Sequence, residues 1–112
     1  MNKRRIRDPY AEDARREGYA ARSAYKLLQI QEAKRILAKG DRALDLGCAP
    51  GGWLQSGAKI VGKKGEIVGI DLNPVTHPMP ANTRAIVADA FELDDDTLDE
   101  LGAPFDSVLS VL

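Results

Sequence analysis

The chain has 112 residues, 44% hydrophobic and 29% charged, proportions that suit one folded domain in water. No apolar run reaches the roughly 20 residues a membrane helix needs, and the start, MNKRRIRDPYAED, lacks the apolar segment of a secretory signal. Cys48 is the single cysteine, which excludes a disulfide framework and a thiolate metal cluster and makes a reducing cytoplasm the expected setting. The net charge of −1 hides an asymmetry: residues 1–42 hold twelve Lys or Arg against six Asp or Glu, and residues 43–112 hold four against eleven. A basic arm beside an acidic body suits a polyanionic partner, although a solvated basic terminus has the same composition.

Residues 1–18 contain Asp8-Pro9, many charges and Gly18, and read as an arm with at most a short helical piece. From Ser23 the spacing of Ala24, Leu27, Leu28, Ile30, Ala33 and Leu37 predicts a helix, with Ser23 as its N-cap and Gly40 as its stop. The period then changes. RALDLG (42–47) predicts a short apolar strand and WLQSGAKIVG (53–62) a helix ending in glycine. EIVGID (66–71), TRAIVAD (83–89) and FDSVLSVL (105–112) predict three more strands, rich in Val and Ile. DDDTLDEL (94–101) reads as an acidic helix start, and the link from Leu72 to Asn82, with three prolines, as a loop or a poorly formed helix. This alternation predicts an α/β domain with a parallel sheet and helices on its faces. The expected organisation is a basic arm and helix over 1–40, followed by a sheet domain over 41–112.

Ligands in such sheets bind beyond the carboxyl ends of the strands. Gly47 to Trp53 lies there, after the first strand, and Gly51 and Gly52 let a ligand approach the backbone. The order G-x-x-P-G-G-W is not the dinucleotide turn G-x-G-x-x-G, and Pro50 argues against a nicotinamide cofactor. Asp71 ends the second strand, 24 residues after Gly47, where a carboxylate can accept both hydroxyls of a ribose. Asp89 ends the third predicted strand and can accept from an exocyclic amine. Each alone reads equally well as a turn or cap residue. Together with the loop, they point to a ligand that carries a nucleoside.

The segments DPYAEDARREGYAARSAYKLLQI, LDLGCAPGGWLQ and GIDL, in that order, resemble the FtsJ-type ribosomal RNA 2′-O-methyltransferases. The resemblance implies a Rossmann-like methyltransferase fold with parallel strand order 3-2-1-4, S-adenosyl-L-methionine as cofactor, and methylation of a ribose hydroxyl in RNA. It places Gly51 and Trp53 at the methionine end of the cofactor, Asp71 at the ribose and Asp89 at the adenine. Gly47, Pro50, Gly52 and Leu72 complete the expected cofactor-binding set, and no metal is expected. Lys26, in SAYKLL, matches the first lysine of the family's catalytic Lys-Asp-Lys-Glu set. The other three members have no match before Leu112. The expectation is therefore a truncated member, the N-terminal half of such an enzyme, which binds cofactor and methylates poorly; a non-catalytic cofactor- or RNA-binding module is the alternative. Lys3, Arg4, Arg5, Arg15, Arg16 and Arg22 are candidate contacts to RNA phosphates. An apolar edge at SVLSVL predicts self-association through the last strand. Cys48 reads as a packing residue rather than a chemical one, Trp53 reads equally as core packing against the helix, and His77 as a surface residue of a Pro-rich loop.

Overall fold

The structure, a computed structural model, describes residues 16–110. Its regular elements are helix α1 (Ser23–Lys34), strand β1 (Arg42–Leu46), helix α2 (Gly52–Val61), strands β2 (Glu66–Asp71) and β3 (Thr83–Val87), a 3-10 turn (Ala90–Glu92), helix α3 (Asp95–Glu100) and strand β4 (Ser107–Ser110). The four strands are parallel in the order β3-β2-β1-β4, as the sequence led us to expect. Residues 72–82 form an irregular loop. Among the described residues no helix is long and apolar enough to cross a membrane.

Alternation along the central strands divides the core between two faces. Ala43, Ile67 and Leu109 pack with Leu27 of α1 and Leu54 and Val61 of α2 on one face. Leu44, Val68 and Ile70 pack with Leu101, and with the half-buried Leu98 and Phe105, on the other. At the amino ends of the strands, the Glu66 carboxylate pairs with Arg42 (3.3 Å) and Arg84 (3.2 Å). Arg84 Nη2 also donates to Leu101 O (2.7 Å), and Arg42 Nη1 donates to Gly102 O, so both guanidiniums secure the carbonyl end of α3. The amino end of α3 is capped by Asp94, which accepts from Thr97 N (2.8 Å) and whose carboxyl is thereby held below the ordinary carboxylate range.

Three expectations need correction. Helix α1 stops at Lys34 instead of running to the glycine, because Gln31 grips Leu37 by both ends of its amide. Gln31 Nε2 donates to Leu37 O (2.6 Å) and Leu37 N donates to Gln31 Oε1 (2.9 Å), which turns the chain back at a left-handed Arg35 (φ 50°). Ser23 is not the cap of α1; Arg22 holds that position without a side-chain cap bond, and Ser23 is the first helical residue. Strand β3 ends at Val87, two residues before Asp89, which instead accepts from Phe91 N (2.9 Å) and caps the 3-10 turn. The last strand is regular over Ser107–Ser110; Val111 and Leu112 lie outside the described residues, as do Lys3, Arg4, Arg5 and Arg15.

Candidate functional site

The loop after β1 is held from both sides. Gly47 N (2.8 Å) and Cys48 N (3.2 Å) both donate to Ile70 O at the end of β2, and Ala49 N donates to Asp71 Oδ2 (3.0 Å). The other oxygen of Asp71 accepts from Asn73 N (2.8 Å). Asp71 therefore ties the glycine loop to the start of the next loop, and its carboxylate has acceptor capacity beyond these two bonds. Gly51 has φ 118°, a conformation that side chains other than glycine's rarely adopt, and it opens α2. A Cβ at Gly52 would come within 2.7 Å of Ser23 Oγ and 3.0 Å of Ala24 N, so the amino ends of α1 and α2 meet only because Gly52 has no side chain. Trp53 fixes the same junction: its Nε1 donates to Ser23 O (2.8 Å).

Three hollows follow one another along this edge. The first, of about 140 Å³, is lined by Asp71, Leu72 and Asn73 after β2 and by Asp89, Ala90 and Phe91 after β3, with Gly47 at its inner end. The second, of about 30 Å³, lies between Gly47, the loop to Trp53, Ser23 and Asp45. The third is an open groove of about 450 Å³ along α1, lined by Arg22, Ser23, Tyr25, Lys26 and Gln29. Gly47 belongs to the first two and Ser23 to the last two, so each hollow shares a wall residue with the next.

The structure thus brings Gly47, Asp71, Leu72 and Asp89 together in the first hollow and Pro50, Gly52 and Trp53 around the second, while Lys26 lies exposed in the groove. Gly51 stands behind the loop against Met79 rather than lining a hollow. Arg22 lines the groove beside Lys26, and Arg16 is exposed before α1. His77 is half-buried, with Nε2 3.1 Å from Gly18 O, in keeping with a loop residue. Cys48 is buried; burial first, then the charges of Asp45 and Asp71, push its thiol up to about 12, so it packs as a neutral group.

Two site residues escaped the sequence reading. Phe91, 86% exposed, lines the first hollow beside Leu72, which is 67% exposed. Large apolar side chains in a hollow that also holds two carboxylates suit the face of a planar ring. Asp45, in the middle of β1, is 0% exposed, and neither carboxylate oxygen has a hydrogen-bond partner. Leaving a buried polar group unpaired costs about 1–3 kcal/mol. Burial, and then the charge of Asp71, raise its carboxyl to about 7. A lone acid between two leucines in RALDL was the available signal.

A parallel sheet in the order β3-β2-β1-β4, with a glycine loop after β1 and acids after β2 and β3, defines an α/β domain of the Rossmann type. The family model for FtsJ-like methyltransferases matches residues 19–110, and the chain belongs to that family. It is 47% identical over 104 residues to the ribosomal RNA large subunit methyltransferase E of Desulfatibacillum aliphaticivorans, covering 93% of this chain and 50% of that one. It is 43% identical to the protein of the same name from Methanothermobacter thermautotrophicus, over 95% and 51% of the two chains. The chain spans about half the length of the curated relatives it matches. Among solved structures, a ribosomal RNA methyltransferase from Plasmodium falciparum superposes with a TM-score of 0.72 at 30% identity, over 84% of this chain and 56% of that one. A protein-L-isoaspartate O-methyltransferase from the same organism, in complex with S-adenosyl-L-homocysteine, shares the fold (TM-score 0.59, 15% identity, 91% of this chain and 71% of that one).

Proposed function

We propose that this chain provides the cofactor cleft of an S-adenosyl-L-methionine-dependent RNA ribose 2′-O-methyltransferase, with ribosomal RNA as the substrate class. The succession of adjoining hollows from Asp89 by way of Gly47 and Ser23 to Lys26 carries this reading, because it sets a hollow suited to a nucleoside and a basic groove along one edge of the sheet. The residues fit the cofactor. Asp71 has acceptor capacity for ribose hydroxyls, Asp89 for an exocyclic amine, Leu72 and Phe91 for the faces of a base, and the glycine loop leaves room for the methionine end. When bound, the cofactor supplies a methyl group activated by its sulfonium.

The chain's own part is alignment and proton handling. Lys26 stands in the groove beside the second hollow, where its amine holds the acceptor ribose and assists loss of the hydroxyl proton. Arg22 on the same helix face, with Arg16 and the basics at 3, 4, 5 and 15, contacts phosphates without reading sequence. The arm and helix over 1–40 thus serve the RNA, and residues 41–112 serve the cofactor. A buried, unpaired Cys48 suits a reducing cytoplasm.

Calorimetric titration with S-adenosyl-L-homocysteine tests the reading. We expect one site, weakened about tenfold by Asp71→Asn or Phe91→Ala, a loss typical of one good polar or ring contact. Absence of any heat with the folded protein refutes it. A second reading, binding of RNA and cofactor without transfer, draws on the groove itself, where the described lining residues beside Lys26 are Arg22, Ser23, Tyr25 and Gln29, with no carboxylate among them. Salt-sensitive RNA binding with no radiolabelled methyl transfer to ribosomal RNA favours it. We also infer that two copies associate through β4, whose outer edge has no neighbour among the described strands and beside which Val108 is 60% exposed.

A further inference from the structure

The sheet domain is acidic, yet its few bases are gathered in one place. After residue 42 the four Lys or Arg are Lys59, Lys63, Lys64 and Arg84. Lys59 lies in the last turn of α2, Lys63 and Lys64 form the turn that leads into β2, and Arg84 lies near the start of β3. All four therefore stand where the strands begin. Lys39, just before β1, joins them, and its Nζ donates to Lys59 O (3.2 Å). With five residues in β1 and six in β2, this end is about 17–20 Å from the glycine loop. An open groove of about 550 Å³ runs here, and its walls include Lys59, Lys63, Glu66 and Asn82.

The carbonyl end of a helix ordinarily repels anions. At α2 those carbonyls are covered: Asn82 Nδ2 donates to Ala58 O and Gly62 O (3.0 Å each), Lys39 covers Lys59 O, and Gly40 N donates to Val61 O (2.8 Å). The acids at the strand starts are engaged as well. Glu66 holds Arg42 and Arg84, Asp41 Oδ2 accepts from Ala38 N (2.9 Å), and Asp106 Oδ2 accepts from Arg42 N (2.8 Å). Lys63 and Lys64 are exposed and form no ion pair among the described residues. The charge left over is positive.

We propose that this groove is a second RNA contact, at which Lys59, Lys63 and Lys64 hold the phosphates of a strand that also occupies the groove along α1. This rests on the RNA reading above and adds a surface at the other end of the sheet from Lys26. The two grooves are linked by contact. Tyr25 lines the first, its ring centroid is 5.5 Å from that of Tyr19, and Lys59 Nζ stands 4.6 Å from the Tyr19 centroid and donates to the Tyr19 hydroxyl. Lysine ammonium groups bind phosphate as point charges, without reading sequence. None of the exposed large apolar side chains, Ile36, Leu72, Val87, Phe91 and Val108, lines this second groove, so it lacks the apolar face with which a protein enters a lipid surface.

Fluorescence anisotropy with a labelled single-stranded RNA of about 24 nucleotides, longer than one groove accommodates, tests the proposal. At about 100 mM salt, charges more than about 10 Å from the RNA are screened, so a loss reports a local contact. Lys63→Gln combined with Lys64→Gln should weaken the RNA about tenfold and lower the slope of log affinity against log salt by about 1.4, the share of two phosphates. S-Adenosyl-L-homocysteine binding by the same variant should be unchanged, which also shows that it is folded. Lys26→Gln should weaken the RNA independently. If the Lys63 and Lys64 variant binds RNA as the wild type does, with the same salt slope, the proposal is overturned and the groove along α1 stands alone; loss of binding to phosphatidylserine vesicles in that case marks lipid as the occupant. If only the Lys63 and Lys64 variant is weakened, the second contact stands and the role given to Lys26 falls. If the wild-type protein binds no RNA, both readings fall.

Discussion

Leu44 and Leu46 flank Asp45 in β1, and Val68 and Ile70 lie one strand away on the opposite face. A carboxyl group in such surroundings titrates near 7 when folded and near its ordinary value, about 3.9, when unfolded. The unfolded chain thus gives up the Asp45 proton first. Stability from this group is complete below pH 4 and is lost as the pH rises to about 7, by up to about 4 kcal/mol. Asp45→Asn removes the charging penalty and keeps the shape. In urea titrations without ligand, the variant should exceed the wild type at pH 8 by about 1–3 kcal/mol, and the gap should narrow as the pH falls and close near pH 4. A wild type as stable as the variant at pH 8 would contradict the burial argument. The glycine loop, Asp71 and Asp89 were legible because backbone approach and strand-end acids leave local marks in a sequence. Asp45 was not, because the same letter inside an apolar strand reads as a strand residue until the neighbours that fail to pair with it are known.

Helix α1 shows where local reasoning ends. Its apolar spacing continues through Leu37, and Leu37 is indeed buried, but it reaches the core from an irregular segment held by the Gln31 amide. A side chain that binds the backbone six residues on has no signature in helical periodicity. The two Gln31 bonds should make Gln31→Ala cost about 1–3 kcal/mol of stability in denaturant titration, since Leu37 N and O then lose their partners. Gln55 acts likewise on the segment before α1: its Oε1 accepts from Ala20 N (2.6 Å) and its Nε2 donates to Gly18 O (2.8 Å). The elements that could be read in advance, β1, β2, α2 and α3, are those whose apolar run, flanking glycine or capping acid lies within or next to their own span. The boundaries that shifted depend on partners elsewhere in the chain.

At the scale of the molecule, alternation made a parallel sheet readable, and the family resemblance supplied its order and the apolar edge at the last strand. The two outer strands differ in their defences. On β3, Arg84 is held by Glu66 and Leu101, which puts a charge at that edge. On β4, the exposed side chains are Val108 and Ser110, with exposed Ile36 near Ser107, whose Oγ donates to Ile36 O (3.4 Å). An edge without a charge invites a second strand. Light scattering over a concentration series should show dimers, and Val108→Lys should return the mass to that of one chain without loss of stability. A single-chain mass at every concentration would exclude association through β4. The charge split between residues 1–42 and 43–112 predicts a different salt response for the two ligands. RNA affinity should fall steeply between 50 and 200 mM salt, by about 10³-fold if some six phosphates are contacted, while nucleoside affinity should barely move.

The indole of Trp53 is the chain's single tryptophan; it borders the small hollow beside Asp45 and is bonded to the carbonyl of Ser23 in the groove wall. One fluorophore therefore touches both the place where the cofactor's amino-acid end would settle and the helix that would meet the nucleic acid. Its emission is a native optical gauge of each event, and an RNA-induced change in the signal evoked by the small ligand would reveal the two talking through that single ring.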